Sequence, residues 1–140
     1  KLPKIANLFN RDGGPEPPVG ISVPQAMYDD FVKISEPIQK IRPDYPFEVK
    51  VREPRKRPTR MGGTDASVFA IEGVPTLGFT TEDFKGYDFD YGEIWHTERD
   101  LYTKNIPEYQ EHTATVTAII ALGVANLDKQ LSREGLYTEE

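Results

Sequence analysis

Pro107 opens a stretch in which Val116, Ile120, Val124, Leu127 and Leu131 recur at three- and four-residue spacing, the period of a helix with one apolar face. Proline suits a first helical turn, where its missing N–H has no intrahelical partner to lose. The spacing therefore predicts a helix of roughly 25 residues whose apolar face must dock on the rest of the chain.

What precedes it supplies short apolar segments. Ile5-Ala6-Asn7-Leu8-Phe9 reads as a strand stopped by Asn10-Arg11-Asp12-Gly13-Gly14, with Pro15, Pro17 and Pro18 extending the loop. From Pro24 a helix is expected, since Met27, Phe31, Ile34, Ile38 and Ile41 keep helical spacing and Pro37 is a candidate kink. Phe47-Glu48-Val49-Lys50-Val51 alternates apolar and charged residues like an edge strand. Thr64 is a candidate N-cap for a short helix through Ile71, Gly73 a stop, and Val74 to Phe79 another strand. Thr80 to Tyr91 is a polar loop dotted with Phe84, Tyr87, Phe89 and Tyr91. Strands alternating with helices give an α/β layered sheet with flanking helices as the expected fold class.

At 140 residues the chain is the size of one domain. No apolar run is long enough to span a bilayer, so no membrane span is expected. Its net charge of −6 speaks against a nucleic-acid partner. The charge is uneven: Lys50 to Arg60 holds six basic residues against one acid, a local +5 that leaves −11 elsewhere. That stretch is either a solvated loop broken by Pro54 and Pro58 or an anion-facing rim. With no cysteine, a metal could be held only by His, Asp or Glu. The start at Lys1-Leu2-Pro3-Lys4, with no initiator Met and no leader, is expected of a piece of a longer chain.

Open α/β sheets place ligands outside the carboxyl ends of their strands, so the loops holding Asp12, Asp65 and His96 draw attention. Asp12 follows an apolar strand and precedes two glycines, as either a plain turn residue or a ligand. Asp65, behind Gly62 and Gly63, either caps a helix or faces a substrate. His96 lies in Trp95-His96-Thr97-Glu98-Arg99-Asp100; a neutral imidazole is the commonest protein ligand for zinc, but a lone histidine is also an ordinary structural residue. His112, beside the apolar stripe, reads as a packing or partly solvated residue. No serine stands at a recognisable spacing from a histidine, so nucleophilic catalysis has no support.

Taken in order, Asn10-Arg11-Asp12-Gly13-Gly14, Gly63-Thr64-Asp65 through Phe69 with Gly73-Val74-Pro75, and His96-Thr97 with Asp100, followed by a long terminal helix, resemble the co-catalytic zinc exopeptidases. That family includes bacterial leucyl aminopeptidase and glutamate carboxypeptidases, with glutaminyl cyclase as a one-zinc relative. The resemblance spans nearly the whole chain and implies the C-terminal portion of a zinc-exopeptidase fold, residues 1–140 forming one domain that is part of a larger catalytic domain. It implies a centre of two zinc ions, with Asp12 the carboxylate of one zinc and His96 the histidine of a zinc, while Gly62, Gly63, Asp65 and Trp95 line a pocket for a peptide substrate. The first histidine, the bridging Asp and the Glu pair with the general base have no counterpart here, so this chain is expected to be catalytically incomplete. A secreted or periplasmic protein is implied. Where many hydrolytic members carry Tyr before the last histidine, Trp95 offers only an indole N–H, and glutaminyl cyclases share Trp-His-Thr; cyclisation therefore stays open, as does a non-catalytic binding module on the same fold, as in transferrin-receptor ectodomains. A missing half would expose sheet edge and apolar surface, from which self-association is expected.

Overall fold

Residues 2–138 are described by the computed structural model. In chain order their strands are β1 (Leu8–Phe9), β2 (Pro18–Val23), β3 (Glu48–Val51), β4 (Thr76–Leu77) and β5 (Phe79–Thr81). The α-helices are α1 (Tyr28–Ile41), α2 (Ala66–Ile71), α3 (Tyr91–Ile94) and α4 (Pro107–Ala125), with 3-10 turns at Leu2–Lys4, Gln25–Met27 and Tyr102–Lys104. The fold is mixed α/β, with two small open sheets and no closed barrel among the described residues. β1 and β4 form one parallel pair; β3, β2 and β5 form the other sheet in that order, β3 parallel and β5 antiparallel to β2.

The centre of the larger sheet, β2, lies where the sequence reads as loop. Pro18 starts the strand, where a missing N–H is tolerated, and Pro18, Gly20, Ile21 and Val23 are all buried. Gly20 is required by close approach: a Cβ there would run into the backbone carbonyl of Glu48 on β3, nearer than real Cβ contacts allow. The residues that look like breakers thus serve a tightly packed strand.

Other elements differ in extent. Only Leu8 and Phe9 of the first apolar run pair, and the run from Val74 to Phe79 divides at Gly78 into β4 and β5, which join different sheets. The edge position expected for residues 47–51 holds for β3. Pro24 precedes the 3-10 turn rather than opening an α-helix, and α1 runs through Pro37 to Ile41, which is itself exposed. Asp65, not Thr64, is the N-terminal flanking residue of α2. Gly73 ends that helix as expected, at φ +74°, with Gly73 N–H donating to the Ala70 carbonyl and Val74 N–H to that of Phe69. α4 is 19 residues long, shorter than its apolar spacing suggests, because the chain leaves the helix at Asn126; Leu131 still reaches the core from the loop beyond.

The core lies between the larger sheet and the helices α1 and α4. Val23, Met27, Phe31, Ile38, Val116 and Ile120 are fully buried, joined by Ile21, Leu77, Leu131 and Leu136. α1 and α4 meet closely, the side chain of Ile34 occupying the space a Cβ on Gly123 would need. His112 is the buried polar member: its Nε2 lies 3.1 Å from the Pro18 carbonyl and its ring stacks on Tyr45 at 3.9 Å. A carbonyl can only accept, so Nε2 carries the proton and Nδ1 is left buried without a partner. No helix of the described residues is long and apolar enough to cross a membrane.

Two stability predictions follow from this packing. Gly20→Ala should cost about 1–3 kcal/mol of unfolding free energy, read by urea denaturation, since the β2–β3 ladder must part to admit a methyl group. Burial, followed by the Arg42 charge, holds the His112 pKa below its ordinary 6.5, with the Pro18 bond and Asp44 opposing. Its stability contribution is then complete above about 6.5 and is lost as pH falls through the folded value, because the unfolded state binds the extra proton. Tm should fall between pH 7 and 5 and His112→Gln should flatten that fall. A separate acid loss below about pH 4.5 should persist in the variant, since Glu108 and Asp83 are both held below their ordinary carboxyl values.

Candidate functional site

Three segments distant in sequence meet around an open cleft of about 970 Å³. The loop after β1 brings Asp12, Gly14 and Pro15; the segment before α2 brings Gly63, Thr64 and Asp65; α3 and the turn after it bring Tyr91, Ile94, Trp95 and His96. Asp100, Leu101, Tyr102, Lys104 and Asn105 close one side, with Gln110 from α4. Of the residues singled out from sequence, Asp12, Gly63, Asp65, Trp95 and His96 therefore share one cavity, and Gly62 lies outside its lining.

Their local geometry differs from residue to residue. The Asp12 carboxylate accepts a bond from Asn10 Nδ2 at 2.6 Å and is exposed. Asp65 precedes α2 in helical conformation and makes no capping bond with its side chain, so capping does not account for it. α3 begins with Asp90 accepting from Gly92 N–H and ends at Trp95, after which His96 takes φ +55°. That left-handed conformation usually falls to glycine just beyond a helix end, and a residue with a Cβ is strained there by about 1–2 kcal/mol. The imidazole lies beside the Trp95 indole, ring centres 4.5 Å apart. Thr97 Oγ1 donates to the Glu93 carbonyl at 2.8 Å and accepts from Arg99 N–H, which secures the turn, whereas Asp100 turns to the cleft. Trp95, Leu101 and Tyr102 are large and exposed at the cleft, Tyr102 at 92%.

The loop leading to α3 is pinned by two carboxylates. Asp83 accepts from Tyr109 Oη at 2.6 Å and from the N–H groups of Tyr87 and Phe89. Glu108, in the first turn of α4, accepts from Lys85 Nζ at 2.5 Å, from Tyr45 Oη at 2.9 Å and from Tyr87 Oη. The Lys85 bond, then that of Tyr45, keeps the Glu108 carboxyl below its ordinary range, and Lys85 is pushed up in turn. Tyr109 rises to about 12 through burial and the bond to Asp83. The aromatic dotting of this segment is thus the signature of a loop packed on Tyr45 and Tyr109, through Phe84 and Tyr87. An ion pair from Lys104 to Glu93 at 3.2 Å ties α3 to the 3-10 turn behind it.

Beside the cleft lies a smaller cavity of about 460 Å³ that shares Asp12 and Thr64 with it and is otherwise lined by residues such as Arg11, Arg55, Ser67 and Thr76. Arg11 and Ser67 fall inside two of the motif segments, but sequence reading gave neither a role there. It left the basic stretch between a solvated loop and an anion-facing rim, and two arginines of that stretch bond backbone carbonyls. Arg57 donates from Nε and Nη2 to the Ile71 carbonyl, closing the end of α2, and Arg55 reaches this smaller cavity.

For a metal, the donor chemistry in the cleft is suitable: an exposed carboxylate and an imidazole. Among the described residues no group of three or more His, Asp or Glu side chains is able to hold one ion, whereas a zinc site with an open position uses three protein ligands. Comparison with protein-family models, curated proteins and solved structures finds no match to this chain.

His96→Gly should raise the unfolding free energy by about 0.5–1 kcal/mol in urea titrations, the left-handed strain relieved less the added unfolded-chain entropy of glycine. A destabilised variant would mean that ring packing on Trp95 outweighs the strain.

Proposed function

We propose that this chain contributes one side of a zinc-dependent exopeptidase centre, with Asp12 and His96 as ligands and the surrounding cleft receiving the end of a peptide. The observation that carries this reading is the convergence of Asp12, Gly63, Asp65, Trp95 and His96, from three separate segments, on one cleft. A turn aspartate has no reason of local structure to share a cavity with a strained histidine more than eighty residues away. The finer fold assignment, the C-terminal portion of a zinc-exopeptidase domain, rests on the same convergence together with the order of the three motifs.

In this reading the zinc supplies a polarised carbonyl and an acidified water. Asp12 would be the carboxylate ligand of one zinc and His96 the histidine ligand of a zinc, the positive φ at His96 fixing where its ring is presented. Trp95, Leu101 and Tyr102 offer apolar surface along which a peptide can lie, and the indole N–H of Trp95 is a donor for one of its carbonyls. The first histidine, the bridging Asp and the Glu pair with the general base are expected from residues outside these 140. The chain alone is therefore expected to bind zinc weakly and to be inactive; a fast zinc-dependent aminopeptidase rate from it would overturn the incompleteness. A second reading, a peptide-binding module on the same fold, is favoured because no group of three or more His, Asp or Glu side chains among the described residues is arranged to hold one ion.

Imidazole proton NMR during a Zn²⁺ titration separates the two. A saturable shift of His96, with His112 unmoved and Asp12→Asn weakening the response about tenfold or more, is expected for the metal centre. Peptide binding at the cleft with no His96 response to zinc would instead establish the binding module.

A further inference from the structure

The 460 Å³ cavity beside the cleft holds two hydrogen-bond donors with nothing to donate to. Arg11 Nε and Ser67 Oγ are buried and have no partner, and both residues line it. The rest of the Arg11 guanidinium is held in place by neutral carbonyls: Nη2 donates to those of Gly14 and Glu16 at 2.6 and 2.5 Å. Arg55 Nη2 reaches the Thr76 carbonyl at 3.3 Å. Among the described residues neither guanidinium has a carboxylate within ion-pair distance. Arg11, Arg55 and Ser67 therefore line one cavity, whose acidic member, Asp12, also lines the larger cleft and accepts from Asn10.

Burial is the largest influence on the Arg11 guanidinium and holds its pKa below the ordinary value, against the nearby charges of Glu16 and Asp12, which raise it. An orphaned N–H and an orphaned O–H select the same kind of ligand atom, an acceptor, and the planar fork of a guanidinium suits an anion with two oxygens. We propose that this cavity binds a ligand carboxylate, with Arg11 and Ser67 donating from its floor and Arg55 from its rim. The cavity meets the larger cleft at Asp12 and Thr64, so a single peptide can place its carboxylate here and its adjacent amide bond at Asp12 and His96. That extension rests on the peptidase reading above, and it makes the substrate a peptide recognised by a carboxylate, either its C-terminus or an acidic side chain next to the bond attacked.

The test uses the ¹⁵N-labelled chain in EDTA, so that zinc plays no part. N-acetylglycine, N-acetylisoglutamine, the neutral N-acetylglycinamide and inorganic phosphate are titrated while the Arg11 Nε–H and Ser67 amide signals are followed. Saturable shifts are expected with the two carboxylates, the tighter one assigning the group to a chain end or a side chain. Binding about tenfold weaker is expected for the glycinamide and, with N-acetylglycine as ligand, for Arg55→Gln. Ser67→Ala should weaken binding by a smaller factor with Tm unchanged. Arg11 also holds the Gly14–Glu16 turn, so the two other variants carry the test. Equal binding of the acid and its amide, no saturable shift, or binding of phosphate alone overturns the carboxylate site. A carboxylate response without a zinc response at His96 overturns the metal centre and leaves this site standing; the converse overturns this site alone.

Discussion

Tyr109, His112, Val116 and Ile120 lie at three- and four-residue spacing on one face of α4, and all four are fully buried. A helix of 19 residues with such a face is not stable by itself in water, and its stability comes from what covers it. Covering it are β2, with Ile21 and Val23, and α1, with Phe31 and Ile38. His112 adds direction to this non-directional packing. Its Nε2 bond to the Pro18 carbonyl and its stack on Tyr45 fix α4 to the first residue of β2 and to the turn between α1 and β3. The same helix carries Glu108 and Tyr109 in its first turn, which hold the loop before α3. The cleft thus inherits its shape from the docking of a helix that supplies only Gln110 to its lining.

Around the cleft, the structure keeps features that packing alone would not select. His96 occupies a backbone conformation that glycine adopts without strain, Asp65 stands at a helix start without capping it, and three large apolar side chains are exposed. In the neighbouring cavity Arg11 Nε and Ser67 Oγ are desolvated without partners. Each of these is unfavourable in isolation, and they are gathered on either side of Asp12 and Thr64. Strained backbone and orphaned donors persist where the surrounding fold over-determines them.

The amino-acid sequence by itself determined the elements whose period is long or whose punctuation is strong. These are α1 and α4, the edge strand β3, the stop at Gly73 and the order in which Asp12, Asp65 and His96 follow apolar or glycine-rich segments. Their signals are local, carried by side-chain spacing and by residues with fixed backbone preferences. Tertiary structure alone decided β2, because Pro17, Pro18 and Gly20 look like loop until the Glu48 carbonyl of a strand 28 residues away demands a position without a Cβ. It also decided that Leu131 is buried from a loop, since periodicity records which residues are apolar and not which backbone delivers them. The grouping of Arg11, Arg55 and Ser67 was likewise invisible in the chain, because a cavity is formed by residues that share space rather than spacing.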